Sequence, residues 1–282
     1  MFTIVTHHTP DLDAVSSVWL IKRFLPNWQD AQVAFVPAGK TLDLQIADSD
    51  PHILHVDTGF GQLDHHQTDE YTCAAKKTYV YIRRKKDTSG KWEDEVLERM
   101  VDVVNFYDHF GEAKLKDGMA DYQQFQAVSV FDGLKLMYTD DDHKIVEMGS
   151  IVLDAIYKAF QERIWAEEVL AKDGLQFATA WGKGVAFETH NDEVLKLAQK
   201  SGFVVAIRKD PKKSYIRIKG HPESAVDLTS AYEVLQKKDP TATWFLHSSK
   251  KMLLNGTTKN PDMRPTTLSL QEIITVLKKI SV

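Results

Sequence analysis

The chain has 282 residues, of which 43% are hydrophobic and 27% are charged, and its formal net charge is −5. This length is sufficient for one large or two smaller α/β domains with buried cores, and the acidic balance argues against a globally basic nucleic-acid surface. The single cysteine, Cys73, excludes an internal disulfide. With no apolar run near the roughly 20 residues of a membrane span and no signal-peptide pattern before the first strand, we expect a cytoplasmic protein without a membrane partner.

The first polar cluster of the chain is His7-His8-Thr9-Pro10-Asp11-Leu12-Asp13. It follows a β-prone run, Phe2 to Val5, and precedes Ala14 to Ile21, where apolar residues recur at helical spacing. The cluster is therefore predicted to lie on a strand-to-helix turn, where open α/β sheets bind ligands. Asp11 and Asp13 are equally typical of helix caps, so this cluster alone leaves both interpretations open.

The second polar cluster follows another predicted buried strand, Pro51 to Val56. That strand ends at Asp57, and Asp64-His65-His66 comes shortly after it. Six of the 11 histidines precede residue 67, which is more clustering than ordinary surface or core histidines would give. Carboxylates and imidazoles together suit borderline divalent ions such as manganese. The two clusters therefore predict a two-metal hydrolytic site.

These motifs resemble the DHH phosphoesterase superfamily, which includes RecJ-type exonucleases, nanoRNases, exopolyphosphatases and manganese-dependent family II inorganic pyrophosphatases. Three ordered motifs carry the resemblance: His-x-x-Pro-Asp-x-Asp-Ala at 7–14, the strand end Val56-Asp57, and Asp64-His65-His66. The stretch 56–67 is most similar to the Myg-type branch, whose eukaryotic members are RNA exonucleases. The first motif departs from that branch and follows the general DHH form.

The resemblance implies a ligand set and a cofactor. One ion would be held by His7, Asp11 and Asp57, and the other by Asp13, Asp57, His65 and Asp108, so that Asp57 is shared. The implied cofactor is a pair of Mn²⁺ ions, with Mg²⁺ or Co²⁺ as alternatives. Two catalytic residues are implied: Asp64 would orient a ligating imidazole, and His66 would contact phosphoryl oxygens. Asp108 is the candidate for the last ligand because it ends a predicted helix beside Gly111, and Asp102 is its rival.

The rest of the chain predicts an α/β fold in two domains. A helix is expected from Trp92 to Tyr107, and two helical stretches lie between Ala127 and about Lys172. We expect residues 1–172 to form a DHH-type catalytic domain with a mostly parallel sheet flanked by helices. Residues 173–282 should form a smaller α/β domain, with strands at 184–188, 203–207 and 215–218 and a helix at 192–200. It resembles the DHH-associated substrate-binding domain.

The substrate is predicted less sharply than the metal site. By resemblance, the second domain would bind it through Arg217, Lys219, His247, Ser248, Ser249 and Gly256. Short basic clusters at 83–86, 212–213 and 250–251 either follow a phosphate backbone or are solvated charges. The leading prediction is hydrolysis of phosphodiesters in single-stranded RNA or short oligonucleotides. The alternatives are hydrolysis of a small phosphoanhydride or cyclic dinucleotide, and a metal-stabilised binding module without turnover. The oligomeric state is left open.

Overall fold

A computed structural model describes residues 1–86 and 94–280 of the chain. It divides into two compact units, Met1–Phe160 and Gln161–Val282. The division falls inside one long helix, α5 (Asp142–Lys172), whereas the sequence placed a boundary at the end of that helix. The predicted start of a helix at Trp92 lies outside the described residues.

The first unit contains a three-stranded, fully parallel sheet with the order β2-β1-β3. Its strands are β1 (Thr3–His7), β2 (Gln32–Val36) and β3 (Ile53–His55). The central strand is buried at Ile4 and Val5, as expected for a parallel strand covered on both faces. Since β1 and β3 are parallel neighbours, their carboxyl ends meet at one edge of the sheet.

The helices of the first unit cover this sheet and carry the remaining polar segments. They are α1 (Leu12–Phe24), α2 (Ala74–Lys86), α3 (Glu95–Asp108), α4 (Ala127–Met137) and the first part of α5. Helix α1 is buried at ten consecutive residues, from Leu12 to Ile21, because α2 and α3 also pack against it. This burial fixes the end of β1 relative to the starts of α1 and α2.

The second unit contains a mixed six-stranded sheet with the order β4-β5-β6-β7-β9-β8. The strands are β4 (Leu175–Thr179), β5 (Gly182–Glu188), β6 (Val205–Lys209), β7 (Ile216–Gly220), β8 (Trp244–Leu246) and β9 (Met252–Asn255). Helices α7 (Thr229–Lys238) and α8 (Leu270–Lys279) share one hydrophobic core with the sheet, and α6 (Glu193–Lys200) shares another with the end of α5. The predicted α/β class is thereby confirmed.

In the described part of the chain, no helix combines the length and the apolar composition that a bilayer crossing requires.

Candidate metal centre

The centre begins where β1 and β3 end side by side. His7 is the last residue of β1, and Asp57 follows β3 after Val56, whose N–H donates to the Val5 carbonyl (2.9 Å). This pairing brings His7 Nε2 to 3.2 Å from Asp57 Oδ2. His7 Nδ1 lies 2.8 Å from the carbonyl oxygen of His8 and donates to it, which leaves Nε2 facing the carboxylate.

The two aspartates of the first motif are held by backbone amides. Asp11 is the N-cap of α1, and its Oδ1 accepts hydrogen bonds from the N–H groups of Asp13 (3.0 Å) and Ala14 (3.1 Å). Asp13 is only 2% exposed, and its two oxygens accept from the N–H groups of Ala74 and Ala75, both at 2.7 Å. Because those amides begin α2, Asp13 fixes the amino end of a second helix at the centre.

The segment after Asp57 turns sharply and brings the Asp-His-His motif back to the strand ends. Asp57 has a left-handed backbone (φ 54°), and its N–H donates to the carbonyl of Leu63 (3.2 Å). Such a conformation is uncommon outside glycine, although aspartate adopts it more readily than most residues. The turn places His65 Nε2 at 3.3 Å from Asp57 Oδ1 and at 3.7 Å from Asp13 Oδ2.

Asp64 has a different partner from the one that the sequence suggested. It is fully buried, and its Oδ1 accepts from His66 Nδ1 (2.7 Å) and from the His66 N–H (3.1 Å). Its Oδ2 accepts from the N–H of Phe60 (2.7 Å). Asp64 therefore orients His66, and not the predicted ligand His65. Half of the His66 side chain remains exposed.

Asp108, at the end of α3, is the residue of that helix that reaches the centre. Its Oδ2 lies 3.7 Å from His65 Nδ1. Its rival Asp102 is more than half exposed and forms an ion pair with Lys76 (Nζ–Oδ1 2.7 Å). Asp102 is absent from every group of possible metal ligands found among the described residues.

Within the described residues, the candidate ligands form three groups whose donor atoms lie within 4.8 Å of one another. The groups are Asp57 with His65 and His66, His7 with Asp11 and Asp57, and Asp13 with His65 and Asp108. Asp57 and His65 each belong to two groups, so the three groups are continuous. The structure thus brings together all six residues predicted as metal ligands.

The charges of these groups depend strongly on one another. Burial would raise the pKa of Asp57, but the close contacts with the His65 and His7 rings lower it to about 2. The contact with the Asp57 carboxylate raises the pKa of His65 to about 9. Burial lowers the pKa of His7, but the hydrogen bonds to Asp57 and the His8 carbonyl and the charges of Asp11 and Asp57 together outweigh it, again giving about 9. Burial and the nearby carboxylates raise the pKa values of Asp13 and Asp108. The centre therefore concentrates like charges that a bound cation would relieve.

The donor set fits divalent ions. Asp57 Oδ1 is buried and accepts no hydrogen bond of regular geometry from the described residues. Buried carboxylate oxygens usually have such a partner, and a bound cation would supply one. Oxygen and imidazole donors without a thiolate suit manganese and similar ions. Cys73 lies buried close to Asp13, where burial raises the pKa of its thiol, and it belongs to none of the candidate ligand groups among the described residues.

The predicted substrate-binding residues of the second unit fall in separate places. Arg217 and Lys219 line a cavity of about 640 Å³ together with Phe245, and Arg217 forms an ion pair with Asp192. Burial, followed by the charge of Arg217, lowers the pKa of Lys219.

The other predicted residues of this unit do not line that cavity. His247, Ser248 and Ser249 lie in a turn of their own, where His247 Nδ1 is 2.8 Å from Ser249 Oγ. Gly256 has a left-handed backbone (φ 80°), and a Cβ there would lie 2.1 Å from Tyr215 Cδ1. Packing alone therefore requires glycine at position 256.

Two residues near the centre were not anticipated. The ring of His109 lies 4.3 Å from that of Tyr71 and 6.5 Å from that of His65, measured between centroids. Lys77 Nζ donates to the carbonyl of Asp64 at 2.5 Å. His109 directly follows Asp108 in the sequence, and this could have indicated that it lies near the centre. Nothing in the spacing of Lys77 indicated its position there.

Comparisons with known proteins place the chain in a family. Among solved structures, an exopolyphosphatase-related protein from Bacteroides fragilis is similar over 98% of this chain and 89% of that chain, with 12% sequence identity and a TM-score of 0.24. No curated protein matches. A family model described as ChrB, C-terminal domain, and not a DHH model, matches residues 4–160, a range that contains every residue of the centre. Because the match covers more than half of the 282 residues, the chain belongs to the ChrB C-terminal domain family.

Proposed function

We propose that this protein is a divalent-metal-dependent phosphoesterase that hydrolyses phosphodiester bonds, with single-stranded RNA or short oligonucleotides as its substrates. The observation that supports this most is the position of Asp57. This buried carboxylate is shared between the donor group of His7 and Asp11, with His7 at its Oδ2, and the donor group of His65 and His66, with His65 at its Oδ1. A shared carboxylate is what a pair of neighbouring cations requires.

The proposed ligands of each ion are those that the DHH resemblance implies. His7, Asp11 and Asp57, which form one group, would hold one ion; Asp13, His65 and Asp108, which form another, would hold the second ion together with Asp57. Mn²⁺ is the proposed cofactor, with Mg²⁺ or Co²⁺ as alternatives. When bound, a pair of such ions makes water nucleophilic at neutral pH and stabilises negative charge on the attacking and leaving oxygens of a phosphoryl group.

The chain's own residues hold and complete this centre. The His8 carbonyl fixes the tautomer of His7, and backbone amides fix Asp11 and Asp13, so these donors are held before any ion binds. Asp64 accepts from His66 Nδ1, which leaves Nε2 of this half-exposed ring for the substrate. A protonated His66 would donate from Nε2 to a phosphoryl oxygen, and Asp64 would keep its ring in place.

The resemblance of the three motifs to the DHH superfamily agrees with this activity and is the reason for proposing RNA. It also assigns Arg217 and Lys219 to the substrate phosphates, with His247, Ser248, Ser249 and Gly256 as further contacts. The cavity at Arg217 and Lys219 is consistent with an anion, because its lining holds these two cations and Lys259 against one carboxylate, Asp192, near an exposed phenylalanine. A cytoplasmic location stays a prediction.

The activity is tested with metal-depleted protein to which MnCl₂ is added. End-labelled single-stranded RNA, single-stranded DNA, a cyclic dinucleotide and pyrophosphate are offered in parallel. Asp57→Asn is compared with Asp102→Asn, a matched change of an aspartate that lies outside the centre. We expect manganese-dependent release of mononucleotides from RNA by the natural protein and by Asp102→Asn, and none by Asp57→Asn.

Other outcomes contradict the proposal in distinct ways. Products from pyrophosphate or the cyclic dinucleotide alone would support a hydrolase whose substrate is not RNA. Bound manganese without product from any substrate would indicate a metal-stabilised binding module. Equal activity of Asp57→Asn and the natural protein would show that the candidate metal centre takes no part in the reaction.

A further inference from the structure

A groove beside the candidate centre lies between helix α2 and the loop that carries the Asp-His-His motif. We call it the α2 groove. Its volume is about 310 Å³. It is lined by Gln62, Leu63, Thr72, Lys76, Lys77, Val80, Tyr81 and Arg84. The five helical residues in this set are spaced so that they share one side of α2, opposite the buried Ala75, Thr78 and Ile82. The groove therefore runs along the helix axis.

The charge of α2 has one sign. Six of its 13 residues are Lys or Arg, and none is Asp or Glu. Lys76 is compensated by Asp102, and Lys85 lies 5.4 Å from the ring centroid of Tyr81. Arg84 is exposed and has no hydrogen-bond or ion-pair partner among the described residues. In a chain with a net charge of −5, this is a local concentration of positive charge next to an acidic centre.

The inner end of the groove is attached to the centre. Lys77 donates to the carbonyl of Asp64, the residue before His65, and Thr72 lies shortly before the amides of α2 that hold Asp13. From Ala74, where α2 begins, to Arg84 the helix rises about 15 Å at about 1.5 Å per residue. At a stacked spacing of about 3.4 Å per nucleotide, this length matches about four to five nucleotides.

We infer that the α2 groove binds the sugar-phosphate backbone of a single-stranded nucleic acid that extends away from the candidate centre. Lys77 and Arg84 are about 10 Å apart along the helix axis and would pair with phosphates about three nucleotides apart, and Tyr81 would offer a ring for base stacking. Charge complementarity identifies the ligand: the carboxylates of the centre repel a polyanion, and the groove supplies the attraction beside them. The inference rests on the proposed function only for the position of the cleaved bond, since binding in the groove requires no turnover.

The inference is tested by fluorescence anisotropy with labelled oligouridylates of 2, 5, 8 and 20 nucleotides in EDTA, so that no cleavage occurs. Affinity should rise steeply between two and about five to eight nucleotides and change little beyond. The titrations are repeated from 50 to 200 mM NaCl with the natural protein, Arg84→Gln and Arg163→Gln. The last is the control, because Arg163 is an exposed helical arginine far along the chain from the groove and paired with Glu167.

Loss of one phosphate contact should lower the slope of log affinity against log salt by about 0.7 for a single strand. If the proteins bind equally at about 1 M salt, Arg84→Gln should bind about eightfold more weakly at 50 mM and about threefold more weakly at 200 mM. Arg163→Gln should match the natural protein. Both substituted side chains are exposed, so equal thermal unfolding midpoints will show that the fold is retained.

Three results would overturn the inference. The first is an unchanged slope for Arg84→Gln, and the second is an equal loss for Arg163→Gln. The third is inorganic polyphosphate binding as tightly as an oligonucleotide with the same number of phosphates, which would show recognition of a phosphate chain without nucleosides. Binding as expected in a protein that cleaves none of the test substrates would refute the proposed hydrolase and support the groove. Mononucleotide release together with an unchanged slope for Arg84→Gln would refute the groove alone.

Discussion

Replacing Asp57 with asparagine should lower the stability of the metal-free protein and should also remove its stabilisation by manganese. The substitution keeps the size of the side chain and removes its charge. In the metal-free protein, the Asp57 carboxylate forms ion pairs with His7 and His65, which lower its pKa to about 2. A lowered native pKa stabilises the fold above the unfolded value near 4, and the stabilisation is lost as the pH falls toward 2. At pH 7 the contribution of Asp57 is therefore fully present.

The size of this contribution follows from the shift in pKa. A shift of about two units corresponds to about 2 to 3 kcal/mol, because each unit is worth about 1.4 kcal/mol. Part of that is offset, since the Asp57 charge also raises the pKa values of Asp13 and Asp108 by repulsion. We therefore expect Asp57→Asn to lower the free energy of unfolding by about 2 kcal/mol in EDTA.

Manganese should widen this difference in stability, because it should stabilise the natural protein and not the variant. At a free concentration of about 100 times its Kd, a ligand that binds the native state alone adds about 2.7 kcal/mol to the free energy of unfolding. Asp57→Asn lacks the shared ligand and should gain nothing at the same concentration. Urea unfolding followed by tryptophan fluorescence, with EDTA or MnCl₂, measures both effects, and Asp102→Asn is the control. An Asp57→Asn variant that manganese stabilises as much as the natural protein would refute our assignment of Asp57.

Three further predictions concern protonation and packing. Because the pKa values of His7 and His65 are about 9 without metal, manganese must displace a proton from each ring. Calorimetry should therefore show the affinity for manganese rising from pH 6 to pH 8, by up to about a hundredfold per pH unit. An affinity that does not change with pH would contradict this. Asp239→Ala should cost about 2 to 4 kcal/mol in urea unfolding, since this buried carboxylate accepts hydrogen bonds from two backbone amides and neighbouring threonine hydroxyls. Gly149→Ala would place a Cβ 2.7 Å from a buried phenylalanine ring and should cost about 1 to 3 kcal/mol, whereas Gly133→Ala meets nothing within 4 Å and should be neutral or stabilising. Equal stabilities of the two glycine variants would contradict the packing of α5.

The elements with strong periodicity were predictable, and those with mixed patterns were not. The first and third strands and helices α1 and α3 were expected within a few residues of their observed bounds. Strand β2 was missed although Val33 to Val36 form a short apolar run that could have indicated it; in the structure it is a partly exposed edge strand. Helix α2 was missed because its basic residues obscure a short buried stripe of Ala75, Thr78 and Ile82. Helix α8 carried an available signal, since Ser269 and Glu272 form a capping box.

The neighbourhood of the ligands was predictable, but their individual contacts were not. Two parallel strands that each end in polar residues must bring those residues to one edge, which is why His7 and Asp57 could be grouped from the sequence. The choice between Asp102 and Asp108 depended on the rotation of α3, which periodicity does not fix near a helix end. The pairing of Asp64 with His66 depends on the left-handed backbone conformation of Asp57 and Phe60, which the spacing of residues in the sequence does not indicate.

The aspartates of the first motif resolve a choice that the sequence left open. Helix capping and metal ligation looked like competing roles, yet a carboxylate has two oxygens and about four acceptor sites. Asp11 uses Oδ1 alone for both of its amide contacts, and each oxygen of Asp13 accepts one amide, so both residues retain acceptor sites. Capping therefore positions these ligands, and it does so without a cation. Among residues 1–86 and 94–280, no backbone N–H donates to the side chain of Asp57, which depends on His7 and His65, so it is the carboxylate whose environment an ion would change most.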